Sequence, residues 1–274
     1  SRSVRDTALL LDLTHGADPL SPYAAREPKG AFTAAAARDP GRLSLAVYRK
    51  SPLGLPISAE TMEALDTAVA LAREGGHTVE EIDLPYIGRD FIADFCKSVA
   101  SAVAGMMRAE AKRVGRPVSG EVERATRVLG RLGEMLSAGE VYDAVQRLNA
   151  TARQMIEDTA RFDAVLMPII AHPPLACGAM DPKGADELVE NVLDKLHLTG
   201  LLRIKSFFGQ LMDKSLWFTP WPAIHNVSGQ PSIALPVHVT AGGLPLGIQA
   251  AGRPGDEETL LSLAAQMEKI SGWL

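Results

Sequence analysis

The chain contains serines, cysteines, histidines and lysines, but none of them stands in a familiar catalytic motif. No Gly-x-Ser-x-Gly sequence occurs, and none of the nine lysines follows a serine by three positions. The six histidines include no His-x-x-x-His pair, the spacing that places two metal ligands on one helix face. Cys96 and Cys177 are too widely separated for a disulfide framework or a zinc pattern. The sequence therefore predicts no catalytic residue, no metal and no cofactor in this chain.

Several polar residues nevertheless lie close to predicted strand ends and turns. His172 follows an apolar strand, and strand ends in α/β sheets often face ligands, so His172 and Cys177 in the same loop are candidates for a pocket wall. His225 precedes Asn226 at an apolar turn, where it is either a catalytic base or, the favoured interpretation, a packed or hydrogen-bonded histidine. Gln249 lies within an apolar strand and is expected to bond to nearby backbone or to another polar side chain.

The bulk composition narrows the class of protein. The chain has 274 residues, 46% hydrophobic and 22% charged, which is an ordinary globular balance. A net charge of -5 argues against a nucleic-acid partner, which usually needs a basic face. The sequence has no apolar run of about 18 residues and no charged-then-apolar leader, so we expect no membrane association and a cytoplasmic location.

The pattern of apolar residues predicts alternating strands and helices. A strand at Leu43–Tyr48, a helix from Ser58 to the Gly75–Gly76 pair and a strand after His77 form a βαβ unit with parallel strands. The chain is also expected to begin with a helix capped by Ser3 and to contain a helical region about 87–161 with a Ser137–Glu140 capping box. A strand at Phe162–Ile170 should follow, and then short helices and a mobile connection over 184–221. A hairpin at 231–252 and a last helix near Asp256 complete the expected elements. The predicted fold class is α/β, a mixed twisted sheet flanked by helices, with the helical region interleaved.

Three long stretches resemble the amidase signature family. They are "RSVRDTALLLDLTHGADPLSP" from Arg2, "VYDAVQRLNATARQMIEDTARFDAVLMPI" from Val141, and the closing region "HNVSGQPSIALPVHVTAGGLPLGIQAAGRPGDEETLLSLAAQME" from His225. Within that family, "LMPIIAHPP" looks most like the 6-aminohexanoate-cyclic-dimer hydrolases. The resemblance implies that residues 1–274 are the C-terminal portion of a single amidase domain with a partial α/β/α fold.

The resemblance also implies an activity, and it implies which functional residues lie in this chain and which lie upstream. Family members hydrolyse C–N amide bonds through a Ser–cis-Ser–Lys triad, which would lie upstream of this chain, so the isolated chain is expected to be inactive. The part of the pocket implied for this chain, which would hold a small-molecule amide, is Met167, Pro168, Ile169, Ile170, His172, Cys177, Ile224 and Asn226. Two alternatives stay open: a non-catalytic piece that completes a partner chain, and a transamidase subunit that resembles the amidase-like subunit of the glutamyl-tRNA amidotransferase.

A partial sheet has a further consequence. Strand edges and apolar faces that the other half of the fold would cover are expected to be bare in this chain. We therefore expect either a homodimer through an exposed sheet edge or a rearranged edge. Trp217, Phe218 and Trp221 are expected to form either an apolar lid or part of the core.

Overall fold

The computed structural model describes residues 1–22, 26–180 and 205–273. These residues divide into two compact units. The first, here called the sheet unit, takes Ser1–Pro85, Ala152–Pro174 and Phe218–Leu274. The second, here called the helical unit, takes Tyr86–Thr151 and Leu175–Trp217.

Five strands of the described residues form one mixed sheet. The strands are β1 Ser44–Val47, β2 Thr78–Glu81, β3 Ala164–Pro168, β4 Ser232–Val239 and β5 Pro245–Gly252, in the spatial order β2-β1-β3-β5-β4. Strands β1, β2 and β3 pair in parallel, whereas β5 is antiparallel to both β3 and β4. The predicted α/β class, the parallel βαβ unit and the closing hairpin are therefore confirmed.

Helices of the sheet unit cover one face of this sheet. They include α1 Val4–Thr14, α2 Phe32–Ala37, α3 Ala59–Glu74 and α9 Glu257–Ser271, and the same unit contains the short helix α8 Pro222–Ser228. The main core packs α1, α3 and α9 against alternate residues of the strands, among them Leu45, Leu166, Leu235 and Ile248. Because strand side chains alternate between faces, the intervening residues point to the opposite side of the sheet.

The opposite face is also buried. Val165 and Met167 on β3 and Gln249 and Ala251 on β5 are all at most 5% exposed. The register places Gln249 between Met167 and Ala234 of β4. The amide nitrogen of Gln249 is buried without a hydrogen-bond partner among the described residues, so the expected bond from this atom is not formed there.

Local capping explains where two of the helices begin. The Ser3 hydroxyl accepts from the backbone N–H of Asp6 at 3.1 Å and caps α1. The next cap belongs to α6, which spans Ala138–Thr159. Ser137 accepts from the Glu140 N–H at 3.2 Å while the Glu140 carboxylate accepts from the Ser137 N–H at 2.8 Å. Both predicted capping pairs are thus confirmed.

The helical unit contains α4 Arg89–Val114, α5 Arg124–Met135, most of α6 and α7 Lys205–Leu216. Helices α4 and α5 approach so closely that a Cβ atom on Gly133 would overlap the backbone carbonyl of Ala100. A buried carboxylate, Asp94 of α4, accepts two hydrogen bonds from the Arg147 guanidinium of α6, at 2.7 and 2.8 Å. The predicted connection over 184–221 lies partly outside the described residues.

Two expectations about local structure need correction or refinement. Asn226 was expected in a turn, but it lies in the last turn of α8, where Pro222 occupies the first helical position and Gly229, at φ 67°, ends the helix. Trp221 belongs to the core, because it is fully buried.

None of the described helices is long and apolar enough to cross a membrane.

Candidate functional site

The carboxyl ends of β1 and β3 define the candidate site. These strands are parallel neighbours, so the loops that follow them leave the sheet at the same end, where ligands of α/β proteins commonly bind. The Tyr48 N–H donates to the Leu166 carbonyl at 2.9 Å and extends the pairing beyond β1. Residues 169–174 follow β3 and carry the half-buried side chains of Ile169, Ile170 and His172.

The segment that precedes α8 clamps this end of the sheet. The Thr219 hydroxyl donates to the Ile169 carbonyl at 3.2 Å, and the Ala171 N–H donates to the Phe218 carbonyl at 2.7 Å. The Ala171 carbonyl accepts in turn from the N–H of Ser58, the residue that caps α3, at 2.9 Å. Three hydrogen bonds from two segments therefore fix the backbone that carries Ile169 and Ile170.

Trp221 connects the same segment to the loop after β1. Its indole N–H donates to the Lys50 carbonyl at 3.0 Å, and the Trp221 carbonyl accepts from the Ile224 N–H at 3.0 Å, inside α8. The Lys50 ammonium group pairs with Asp83, just after β2, at 2.5 Å. The carboxyl-end loops of all three parallel strands thus carry contacts to another segment, of which the exposed Lys50–Asp83 pair is the weakest.

His225 is the most unusual titratable group near this site. Its side chain is 6% exposed, and neither ring nitrogen has a hydrogen-bond partner among the described residues. Burial lowers the pKa of His225 to about 4, so the imidazole is neutral at pH 7. A general base needs a pKa near the working pH and a positioned proton donor, so the structure favours a packed histidine over a catalytic base.

The eight predicted pocket residues fall into three groups. Met167, Pro168 and Ile224 are buried, whereas Ile169, Ile170 and His172 are half-buried and Asn226 is exposed. All seven belong to the sheet unit. Cys177 is exposed and belongs to the helical unit, which begins again at Leu175.

A cavity of about 170 Å³ lies at the opposite end of β3. The C-terminal part of α6, the start of β3 and the end of β5 line it, and none of the eight predicted residues contributes to its wall. Gln230 borders it, and its amide donates to the Gly252 carbonyl at 2.9 Å. An ion pair between Arg253 and Asp163, at 2.9 Å, completes the rim. This cavity is therefore distinct from the candidate site.

The candidate site offers an apolar wall with few ionisable groups. In the parts of the chain that the structure describes, no group of three or more His, Cys, Asp or Glu side chains could hold a metal ion. Burial raises the pKa of the Tyr48 phenol, so this group stays protonated at neutral pH. The arrangement suits binding and positioning of an uncharged molecule rather than proton transfer.

Comparison with known proteins identifies the family. The family model described as Amidase matches residues 1–261. The chain belongs to the amidase family. The resemblance inferred from the sequence is therefore confirmed across most of the chain.

This member of the amidase family spans about half the length of the curated relatives that it matches. AmiB2 of Mycobacterium tuberculosis is 30% identical over all of this chain, which covers 51% of that protein. The 6-aminohexanoate-cyclic-dimer hydrolase of Paenarthrobacter ureafaciens is 27% identical over all of this chain, which covers 53% of it. A solved structure of 6-aminohexanoate cyclic dimer hydrolase matches with a TM-score of 0.82 at 24% identity, with coverage of 100% of this chain and 54% of that chain. That structural likeness supports the fold.

Sequence reasoning missed the residues that hold the amidase candidate site in place. Thr219 and Trp221 act through side-chain bonds to backbone carbonyls some 50 and 171 positions away, and no local pattern encodes such partners. The only available signal was the cluster of prolines and tryptophans around 217–222, which marks an ordered, apolar segment.

Proposed function

We propose that this chain is part of an amidase that hydrolyses the C–N bond of a small-molecule amide. The observation that carries the proposal is the family match over residues 1–261. The 6-aminohexanoate-cyclic-dimer hydrolase that it resembles takes its name from an amide substrate. Because the chain spans about half the length of such relatives, the activity belongs to a longer polypeptide or to an assembly.

The catalytic Ser–cis-Ser–Lys triad is assigned to polypeptide outside residues 1–274. The serines and lysines of this chain stand in none of the nucleophile motifs tested above. The buried, neutral His225 supports this division, because it has no hydrogen-bonded hydroxyl whose proton it could accept among the described residues. The 274-residue chain is accordingly inactive when it is alone.

This chain contributes one wall of the substrate pocket. The residues assigned to the wall are Met167, Pro168, Ile169, Ile170, His172, Cys177, Ile224 and Asn226. Ile169, Ile170 and His172 present partly exposed side chains at the carboxyl end of β3, and the buried Met167 and Ile224 support the layer behind them. Such an apolar wall suits an amide with a hydrocarbon body, which would bury its methylene groups there at about 0.8 kcal/mol for each CH₂.

The second candidate function is that of a non-catalytic piece that completes a site on a partner chain. The outer edge of β4, which pairs with no further strand among the described residues and where Ser232 and Ala234 are both exposed, favours it. A third interpretation, a transamidase subunit, differs from the first in requiring partner subunits.

Sequencing and expressing the DNA upstream of the Ser1 codon tests these proposals. We expect an open frame with a lysine and two serines in glycine-rich surroundings, and an extended protein that hydrolyses 6-aminohexanoate cyclic dimer or a 4-nitroanilide. Alanine at either upstream serine should abolish turnover. In the extended protein, His172→Asn and Asn226→Ala should raise KM, whereas Val239→Ala, on the exposed end of β4, should leave it unchanged.

Two results would contradict the first proposal. Turnover by the 274-residue chain alone, blocked by a serine-directed inhibitor, would place the nucleophile inside this chain. A stop codon followed by a start codon directly before Ser1 would instead support the non-catalytic assembly piece.

A further inference from the structure

His77 is buried at the turn between α3 and β2, and both of its ring nitrogens are hydrogen-bonded. The residue is 5% exposed. The N–H of Leu43, just before β1, donates to Nδ1 at 3.1 Å, and Nε2 lies 2.7 Å from Oε1 of Gln266 in α9. The Gln266 amide nitrogen in turn donates to the Gly75 carbonyl at 3.2 Å. These four residues, here called the His77 latch, join the start of β1, the end of α3 and α9.

The hydrogen bonds fix the protonation state of the ring. The Leu43 N–H can only donate, so Nδ1 of His77 is an unprotonated acceptor. The proton of the neutral imidazole therefore lies on Nε2, which donates it to the side-chain oxygen of Gln266. A second proton, on Nδ1, would point at the Leu43 N–H, so that one donor would face another.

The close approach of Gln266 requires a glycine at position 75. A Cβ atom there would lie 2.6 Å from Oε1 of Gln266. The backbone of Gly75 has φ −67° and ψ −1°, which any residue can adopt, so conformational freedom does not explain the glycine. Space for the Gln266 side chain does, and the latch is thus built from both sides.

Burial keeps the ring neutral. It lowers the pKa of His77, and the bond to Gln266 and the charges of Asp163 and Asp39 offset this effect only in part. The imidazole is therefore uncharged at pH 7, in agreement with the bond that Nδ1 accepts from Leu43.

The two carboxylates that act on the ring already have partners of their own. Asp163 pairs with Arg253 at 2.9 Å and accepts from the Ser44 N–H at 2.8 Å. Asp39 accepts from the Gly41 N–H at 2.8 Å. Further charged side chains on the neighbouring segments are exposed to solvent, among them Arg42, Arg73, Glu74 and Lys269.

We infer that the His77 latch is an acid-sensitive switch, which holds the turn after α3 against the start of β1 at neutral pH and opens below about pH 6.5. Protonation of Nδ1 breaks the bond from Leu43, and water accepts from both N–H groups once the turn and the strand separate. The latch lies where β1 and β2 begin, whereas the candidate site lies where β1 and β3 end. The switch therefore uses none of the site residues and does not depend on the amidase activity.

The direction of the pH effect follows from the two states of the latch. In the open state the ring is solvated and binds a proton near its ordinary pKa of about 6.5. In the closed state the pKa of His77 is lower, so the closed state is favoured above pH 6.5 and loses this advantage as the pH falls. The equilibrium constant for opening should rise by up to about tenfold for each pH unit between the two pKa values, and then level off.

Amide hydrogen exchange of the 274-residue chain measures the opening. The protection factor of the Leu43 amide, corrected for the intrinsic pH dependence of exchange, should fall between about pH 7 and pH 5. The Tyr48 N–H, which donates to the Leu166 carbonyl at the other end of β1, reports opening of the whole sheet. The Leu43 amide should be the less protected of the two at each pH, because the latch opens locally.

Nitrogen-15 spectra of the histidine rings test the protonation state. At pH 8 the His77 ring should show a proton on Nε2 and none on Nδ1. As the pH falls, Nδ1 should gain its proton over the same range in which the Leu43 amide loses protection.

A pair of histidine variants tests the assignment to His77. His77→Asn offers Leu43 an acceptor that does not titrate, so the pH dependence of protection at Leu43 should disappear. His238→Asn removes a histidine of β4 that lies 3.9 Å from Glu60, and it should leave that dependence unchanged. The unfolding midpoint at pH 8 verifies that both variants fold.

Gly75→Ala tests the contribution of Gln266. The added Cβ displaces the end of a flexible side chain, so the backbone can stay in place. Since the bond to Gln266 favours the protonated ring, its loss should move the titration of His77 to lower pH. Gly105→Ala, whose Cβ meets nothing within 4 Å, should not move it.

Four results would overturn the inference. Equal protection of the Leu43 and Tyr48 amides at each pH would show that the latch does not open locally. A Leu43 amide whose protection does not change with pH, or changes equally in His77→Asn, would show that His77 does not control it. A proton on Nδ1 at pH 8 would contradict the neutral state from which the switch starts. A titration of His77 that Gly75→Ala leaves unmoved would exclude Gln266 from the latch.

Discussion

The indole N–H of Trp221 donates to the backbone carbonyl of Lys50 at 3.0 Å, although the two residues are 171 positions apart. This bond joins the loop after β1 to the segment that also clamps Ile169 and Ala171 after β3. Trp221 is fully buried, whereas Lys50 is an exposed residue, so the bond connects the core to a surface loop. The segment 218–221 therefore bonds to the loops that follow both β1 and β3.

Trp221→Phe should destabilise the chain by about 2 kcal/mol, because it removes the hydrogen bond to the Lys50 carbonyl and part of a core side chain. Urea unfolding followed by circular dichroism measures the change. Hydrogen exchange should also accelerate at residues 49–53 and 169–171, where the clamp acts.

Trp273→Phe provides the matched control. Trp273 is half-buried near the end of the described chain and packs against the main core. Its replacement should change stability less and leave exchange at residues 49–53 unaltered. Equal effects of the two substitutions on those amides would contradict a specific role for the Trp221 bond.

Gly133→Ala should destabilise the helical unit by about 3 kcal/mol. The added Cβ would overlap the Ala100 carbonyl of α4, and a backbone atom inside a helix cannot move aside cheaply. The loss is measured by urea unfolding and by the protection of amides in α4 and α5.

Gly105→Ala on α4 is the opposite case. A Cβ at Gly105 meets nothing within 4 Å, so alanine there should stabilise the helix by about 0.5–1 kcal/mol. If both substitutions shifted stability in the same direction, close packing of α4 against α5 would not explain the glycine at 133.

Elements governed by local rules were predictable from the sequence. The Ser3 and Ser137 caps, the parallel βαβ unit and the closing hairpin depend on spacing within one segment, and the structure contains all of them. The helix at 222–228 carried local signals too, Pro222 at its start and Gly229 after its end, but the prediction weighed Asn226 and Gly229 as a turn instead.

Features that depend on burial were not predictable in this way. The sequence does not show that a unit boundary falls at Pro174–Leu175, between His172 and Cys177 in the chain. Nor does it show that the amide nitrogen of Gln249 lies buried without a partner among the described residues. Such facts arise from packing between distant segments, and one sequence contains no direct record of them.

Asp94→Asn should destabilise the chain by about 1–3 kcal/mol, the usual range for a hydrogen bond to a charged group. Burial opposes ionisation of Asp94, but the bonds from Arg147 and Lys97 outweigh it and hold the pKa below its ordinary value. A lowered carboxyl pKa stabilises the fold above the unfolded-state pKa, and this contribution disappears as the pH falls through the folded-state pKa. As the pH is lowered, the free energy of unfolding of the Asp94→Asn variant should therefore fall less steeply than that of the unchanged chain.

Glu110→Gln on the same helix is the control for Asp94. Glu110 pairs with Arg113 one turn away, but the pair is exposed to solvent, so its loss should not be measurable at moderate salt. A larger effect at Glu110 than at Asp94 would contradict the importance assigned to burial.

His225→Leu should remove a pH dependence of stability between about pH 6.5 and pH 4. The unfolded state binds a proton near pH 6.5, whereas burial lowers the pKa of His225 to about 4 in the folded state. As the pH falls through this window, the unfolded state gains protons first, so the fold loses about 3 kcal/mol before the curve levels. Urea unfolding at steps of half a pH unit measures how the free energy of unfolding depends on pH.

His225→Gln separates ionisation from polarity. Glutamine does not titrate, so it should abolish the same slope as leucine does. It would, however, bury an amide where neither imidazole nitrogen finds a partner among the described residues, so the leucine variant should be the more stable by about 1–3 kcal/mol at pH 8. If glutamine were the more stable, His225 would have a hydrogen-bonding role, and its assignment as a packed, non-catalytic histidine would be wrong.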